Sequence, residues 1–247
     1  MKAHEIFIEG EPSKRKIFNM NGYTIVDHQK IENHITFFRI NPTDIKLTLK
    51  DIFNSISNIA WISSFDEEYT RNGFQVRANA TINYISENII RENDDMVTSD
   101  SGECIVSELA RKTVVTQMDY LDIPLGELIK IKEIGNHGFD FFSKNKEDIL
   151  LFGEAKYVAA QNAYGKTFKQ IVRFEKDEEK DCSDIIDIDK FCNEESKRNH
   201  ANGHKGFIAA FSAKSTTTDK LIEGIKGNTD YQTLTKFNEL ICVAVNL

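Results

Sequence analysis

Three ionisable side chains set in an apolar stretch carry the strongest chemical signal in this sequence. Gly138-Phe139-Asp140-Phe141-Phe142 is followed, after a polar turn, by Ile149-Leu150-Leu151-Phe152-Gly153-Glu154-Ala155-Lys156. Side chains of a strand alternate between faces, so Leu150, Phe152, Glu154 and Lys156 share one side, and Leu151, Gly153, Ala155 and Tyr157 the other. Glu154 and Lys156 therefore end a strand otherwise made of core-type residues. Charges in such a place are costly unless they are paired or bound to a metal. The short loop from Ser143 to Asp148 predicts an antiparallel hairpin, and a hairpin can bring Asp140 close to Glu154. Two adjacent carboxylates repel and shift each other's pKa, and a divalent cation removes that cost. All-oxygen ligands suit Mg²⁺ or Mn²⁺, which keep waters and accept phosphate oxygens. Such an ion activates a water and stabilises charge on a phosphoryl group. Lys156 can orient or deprotonate that water, or neutralise the pentacovalent state.

Elements that could position these groups follow from periodicity. Apolar runs at Ile6 to Ile8, Tyr23 to Val26 and Ile35 to Ile40 read as strands. Leu47, Ile52, Ile56 and Ile59 predict a helix near 43–60, capped by Asn41 or Thr43. Ala78, Ile82, Ile85 and Ile89 predict another over 74–92. The polar run Arg91 to Asp95 marks the expected boundary between an N-terminal α+β module, 1–95, for regulation or partner binding, and a core, 96–247. In the core the pattern predicts a helix at 101–115, strands at 127–134, 139–142 and 149–155, and a helix at 159–179. A charged, partly helical segment at 175–204 and strands at 206–212 and 237–246 follow. That order is α/β, with a mixed sheet flanked by helices.

Asp140 followed by Glu154-Ala155-Lys156 resembles the D…(D/E)xK signature of the PD-(D/E)xK nuclease superfamily. The resemblance implies a restriction-endonuclease-like core in which a preceding helix supplies a further acidic residue. Glu103 and Glu108 compete for that role. Ile105, Val106, Leu109 and Ala110 define the buried arc, and Glu103 sits nearer its edge, so Glu103 is preferred. The longer pattern of Gly102-Glu103, Lys132, Gly138-Phe139-Asp140 and Phe152-Gly153-Glu154-Ala155-Lys156-Tyr157 is similar to the HamA type of nuclease. Nucleases of that type belong to the Hachiman anti-phage system and work with a HamB helicase. The likeness covers about residues 100–175. It implies metal-dependent DNA cleavage, restrained until the helicase senses foreign or damaged DNA. The implied metal ligands are Asp140, Glu154, the Ala155 carbonyl and Glu103, with 5′-phosphate products.

Each of these residues also has a plainer reading. Glu103 can complete a capping box with Asp100 as N-cap, and Glu108 can pair with Arg111 on a solvated face. Glu154 and Lys156 can blunt a sheet edge, although the adjacent Gly153 points to close approach of a ligand or backbone. His200 and His204 have metal-like spacing but sit in an Asn/Gly-rich segment with no third ligand nearby, so a surface loop is expected. His137 is read as an exposed turn residue, and Trp61, Phe37 and Phe38 as core. Lys166, Lys169 and Arg173 recur on one face of the helix after the motif, a candidate DNA-phosphate face. Gln161 could face the active centre.

Composition narrows the function classes. The 247 residues carry 31 Lys and Arg against 39 Asp and Glu, a net charge of −8. A generic DNA-coating protein would be basic, so a partner that engages DNA is expected. Cys104, Cys182, Cys192 and Cys242 form no CxxC pair, which argues against a zinc knuckle and suits a reducing cytoplasm. Met1 to Lys16 shows no apolar leader core, and no run is long enough to span a membrane. Two other readings stand beside the helicase-controlled nuclease: a stand-alone restriction-type endonuclease, and a non-catalytic interaction subunit on the same fold.

Overall fold

The structure, a computed structural model, describes residues 19–20, 22–90, 99–130, 138–177, 179–214 and 216–247. The runs expected at Ile6 to Ile8 and Arg91 to Asp95, and the residues Lys132 and His137, lie outside these. In chain order the elements are β1 (Asn19–Met20), β2 (Tyr23–Glu32), β3 (Ile35–Pro42), α1 (Ile45–Ile56), a 3₁₀ turn (Ala60–Ser64) and α2 (Glu68–Tyr84), continued by a π-helical turn (Ile85–Ile90). Then come α3 (Ser99–Met118), α4 (Gly126–Ile129), β4 (Phe141–Lys144), β5 (Leu150–Lys156), α5 (Tyr164–Lys176) and α6 (Lys180–Ile188). A 3₁₀ turn (Asp189–Phe191), α7 (Glu194–Ala201), β6 (Lys205–Ala213), α8 (Thr218–Lys226), α9 (Thr229–Leu234) and β7 (Glu239–Asn246) complete the chain.

Seven strands form one mixed sheet in the order β1-β2-β3-β7-β6-β5-β4. β5, β6, β7 and β3 are parallel neighbours, while β4 pairs with β5 and β2 with β3 antiparallel. The mixed α/β class expected from the sequence is the class observed. Residues 150–155 and 206–213 are buried without a break. Because neighbouring side chains face opposite ways, both faces of these strands must be covered. Helices α3 and α5 pack against β5 and β6. Helix α3 buries Ile105, Val106, Leu109 and Ala110, the arc that its periodicity predicts, and Val114 one turn on.

The strands of 1–95 join those of 96–247 in a single sheet, since Ile35 to Ile40 of β3 pair in register with Leu240 to Val245 of β7. The expected division at residue 95 thus runs through one continuous sheet. Several local expectations are corrected. Residues 127–129 lie in α4 rather than a strand, with Leu128 and Ile129 buried. Helix α1 is capped by Asp44, which accepts from Leu47 N–H, and not by Asn41 or Thr43. Asp100 lies inside α3, so it is no N-cap. Helix α5 starts at Tyr164, which leaves Gln161 exposed ahead of it. Helices α8 and α9 were not anticipated. Phe37 and Phe38 are core, and Trp61 packs edge-on against Phe65 and Phe74. No helix among the described residues is long and apolar enough to cross a membrane.

Candidate active site

The expected hairpin forms, with Phe142 opposite Phe152 and Phe141 opposite Gly153. The Phe141 ring fills the space a Cβ on Gly153 would need. That glycine therefore admits a neighbouring ring, not a ligand. Strand pairing stops at Phe141, and Asp140 takes over the next rung. Its N–H donates to the Gly153 carbonyl at 2.8 Å, and its Oδ2 accepts the Ala155 N–H at 2.7 Å. A strand residue sends its N–H and C=O to the same edge, so the Ala155 carbonyl opens beside Asp140, past the end of β4. The Asp140 carbonyl accepts the Gly126 N–H at 2.8 Å, which ties α4 to the same point.

Glu154 is fully buried, and Lys156 Nζ lies 2.8 Å from its Oε1. The same ammonium lies 3.7 Å from Glu103 Oε2. Glu103 reaches this position because Gly102 lets α3 ride directly on the Tyr157 ring, where a Cβ would collide. The structure thus brings together Asp140, Glu154, Lys156 and Glu103. The centre is organised around an ammonium: Glu103, Asp140 and Glu154 do not place three carboxylate oxygens within 4.8 Å of one another.

Electrostatics mark the pair of acids as strained. Removal from water pushes Asp140 up to about 6, against the pull of Lys156 and the Ala155 N–H. Burial, then the neighbouring Asp140 charge, raise Glu154 well above the usual carboxylate range despite Lys156. Lys156 is raised: the surrounding carboxylates, Glu154 first, outweigh its own desolvation. Neither oxygen of Glu154 makes a geometrically sound hydrogen bond among the described residues.

The other buried glutamates behave differently. Glu239 accepts from Tyr120 and Asn145. Glu108 is bound bidentately by Arg111 at 2.8 and 2.7 Å. The Glu108–Arg111 pair expected on a solvated face is buried, beside a separate cavity of ≈ 210 Å³ lined also by Trp61. This removes Glu108 from the hairpin.

A cavity of ≈ 180 Å³ opens beside Asp140, lined by Glu103, Cys104, Ser107 and Glu127 among others. Glu127 was missed from the sequence because its segment reads as a strand. In fact α4 turns it into the cleft, and its charge also bears on Asp140. Lys166, Lys169 and Arg173 lie on the exposed side of α5, opposite Thr167, Phe168, Ile171 and Phe174.

A second group was misjudged. His200 lies in α7, not in a surface loop, with its ring 2.9 Å from Asp181 Oδ2. Asp181, Cys182 and His200 bring their ligand atoms within 4.8 Å of one another and could hold a metal ion. In the structure Asp181 is already matched by Lys205 Nζ at 2.6 Å, and its pKa is lowered by His200 and Lys205 despite burial. No protein-family model matches the chain, and no curated protein matches it.

Proposed function

We propose that the protein is a divalent-metal-dependent DNA nuclease whose reacting centre is formed by Asp140, Glu154 and Lys156, with Glu103 at its rim. One observation carries this reading: Glu154 is fully buried with the Lys156 ammonium, which it shares with Glu103, as its close partner, beside a second acid of raised pKa. Two buried acids that share one ammonium are left short of positive charge, which is costly, and a hard cation is the partner such oxygens fit. Asp140, Glu154 and the Ala155 carbonyl would hold Mg²⁺ or Mn²⁺, with Glu103 drawn in from the rim. When bound, the ion supplies charge to the phosphoryl oxygens and acidifies a water.

The chain's own groups do the rest. Lys156 balances Glu154 at rest and can turn its ammonium to the scissile phosphate or the attacking water. Water oxygen bonds to phosphorus and gives up a proton to solvent while the P–O3′ bond breaks and O3′ takes up a proton, giving a 5′-phosphate and a 3′-hydroxyl. Lys166, Lys169 and Arg173 offer a phosphate-contacting face. A net charge of −8 works against autonomous DNA binding, which supports control by a helicase partner of the HamB kind over a stand-alone restriction enzyme. An interaction subunit without chemistry gives no reason to bury Glu154 beside Asp140 with one ammonium between them and Glu103.

The test is nicking of supercoiled plasmid in Mn²⁺ by wild type, Glu154→Ala and Lys156→Ala. Loss of nicking in both folded variants is expected; retained cleavage in either ends the proposal.

A further inference from the structure

Asp140 sits just beyond the end of β4, where a single rung, its N–H to the Gly153 carbonyl, continues the pairing with β5. Its position depends on the peptide groups before it. The N–H of Phe139 donates to Asp184 Oδ2 at 2.7 Å, and the C=O of Phe139 accepts from Lys130 Nζ at 2.7 Å. Lys130 and Asp184 then close on each other, Nζ to Oδ1, at 2.7 Å. The C=O of Phe139 and the N–H of Asp140 belong to one peptide unit, and that N–H is held by Gly153. Both polar groups of the peptide carrying Asp140 are therefore fixed, one of them by this ion pair.

The two charged groups come from far apart in the chain, Lys130 from the end of α4 and Asp184 from α6. Their side chains are only 15% and 5% exposed. A buried ion pair seldom adds net stability over an apolar pair of the same volume, so its value lies in fixing geometry. The approach is close: a Cβ at Gly138 would collide with the Asp184 carboxylate and with Lys130 Nζ. A metal ligand must be held to within about 0.5 Å of its productive place, by groups whose own positions are locked.

We propose that Lys130 and Asp184 are positioning residues for Asp140, a clamp that sets where its carboxylate stands relative to Glu154. The role rests on the nuclease reading above for its purpose, though not for its geometry.

The test uses the full chain, with two readouts that need no cleavage. In metal-free protein, amide exchange at Phe139 should quicken at least about tenfold in Asp184→Ala, while Asp184→Asn, which keeps an acceptor, stays near wild type. By calorimetry, Mn²⁺ affinity should fall about 10–100-fold in Asp184→Ala and in Lys130→Met, the range typical for residues that orient metal ligands. Asp184→Asn should lose less than Asp184→Ala. If Asp184→Ala does not fold, Lys130→Met alone decides the matter. Folded variants with wild-type Mn²⁺ affinity and wild-type Phe139 exchange overturn the clamp. Wild type that binds no Mn²⁺ overturns the metal reading, and Phe139 exchange still judges the clamp.

Discussion

Asp140→Asn should make the metal-free protein more stable at pH 8, although it removes a proposed metal ligand. The amide keeps a carbonyl oxygen to accept the Ala155 N–H and discards the buried charge. The magnitude follows from linkage. Asp140 titrates at about 6 in the folded chain against an ordinary 3.8, and each pH unit is worth about 1.4 kcal/mol. The shift is already net of the attraction to Lys156. Ionised Asp140 thus costs about 3 kcal/mol, reduced to about 2–3 kcal/mol by contact with solvent at the cleft. The sign is fixed by proton binding. Between about pH 4 and 6 the folded chain holds a proton that the unfolded chain releases, so wild-type stability falls as pH rises through that window. Below about pH 4 both states are protonated, and above about pH 6 the whole cost is present. Thermal melts in the presence of a chelator should therefore show a gain of roughly 5–10 °C for Asp140→Asn at pH 8, shrinking towards zero near pH 3.5. A variant that is no more stable than wild type at pH 8, or equally favoured at both pH values, refutes the reasoning.

Three further outcomes are expected. Saturating Mn²⁺ should raise the wild-type Tm at pH 8 by an amount equivalent to about 2.7 kcal/mol at a hundredfold excess over Kd. The effect should shrink below pH 6 as Asp140 takes up a proton and vanish in Glu154→Gln; a Mn²⁺ response that survives in Glu154→Gln would remove Glu154 from the metal site. Glu108→Ala should cost about 3–5 kcal/mol in urea melts, because it leaves Arg111 buried without its main partner. Nicking per folded molecule should persist in that variant, whereas Glu103→Ala should lower it; the reverse result would return Glu108 to the site. Combined Lys166→Glu and Lys169→Glu should weaken DNA binding and flatten its dependence on salt, by fluorescence anisotropy. An unchanged salt slope would take α5 out of the DNA interface.

Local pattern made some of this legible and left the rest hidden. Asp140, Glu154 and Lys156 stand out because they interrupt apolar strands joined by a short loop, and the hairpin sets the first two on neighbouring chains. Glu103 followed from the arc of α3, since Ile105, Val106, Leu109 and Ala110 are all buried. Glu127 was hidden because α4 is a single turn, too short to show a period. The clamp was hidden for a different reason: Lys130 and Asp184 look like ordinary surface charges, and only tertiary contact joins them to Phe139. His200 was misread because the Asn/Gly content of its surroundings outweighed the helix start at Asn193, whose side chain caps α7 through Ser196 N–H.

The buried acids can be ranked by what satisfies them, and the ranking separates structure from chemistry. Glu108 has a guanidinium, Glu239 a phenol and an amide, and Asp184 an ammonium and a backbone N–H. Each is a closed arrangement in which the acid's oxygens are met by donors of the fold itself. Glu154 faces one lysine that it shares with Glu103, and no hydrogen bond. Folding alone would favour glutamine or leucine there, since an unsatisfied buried carboxylate is among the costliest groups a core can hold. Sequences break such local rules chiefly at functional sites. The break falls one residue from Ala155, whose N–H fixes Asp140, at the point where β4 ends and the sheet stops covering its own edge. A site that binds a cation only after folding needs this arrangement: ligands held rigidly from behind, and a charge deficit left in front.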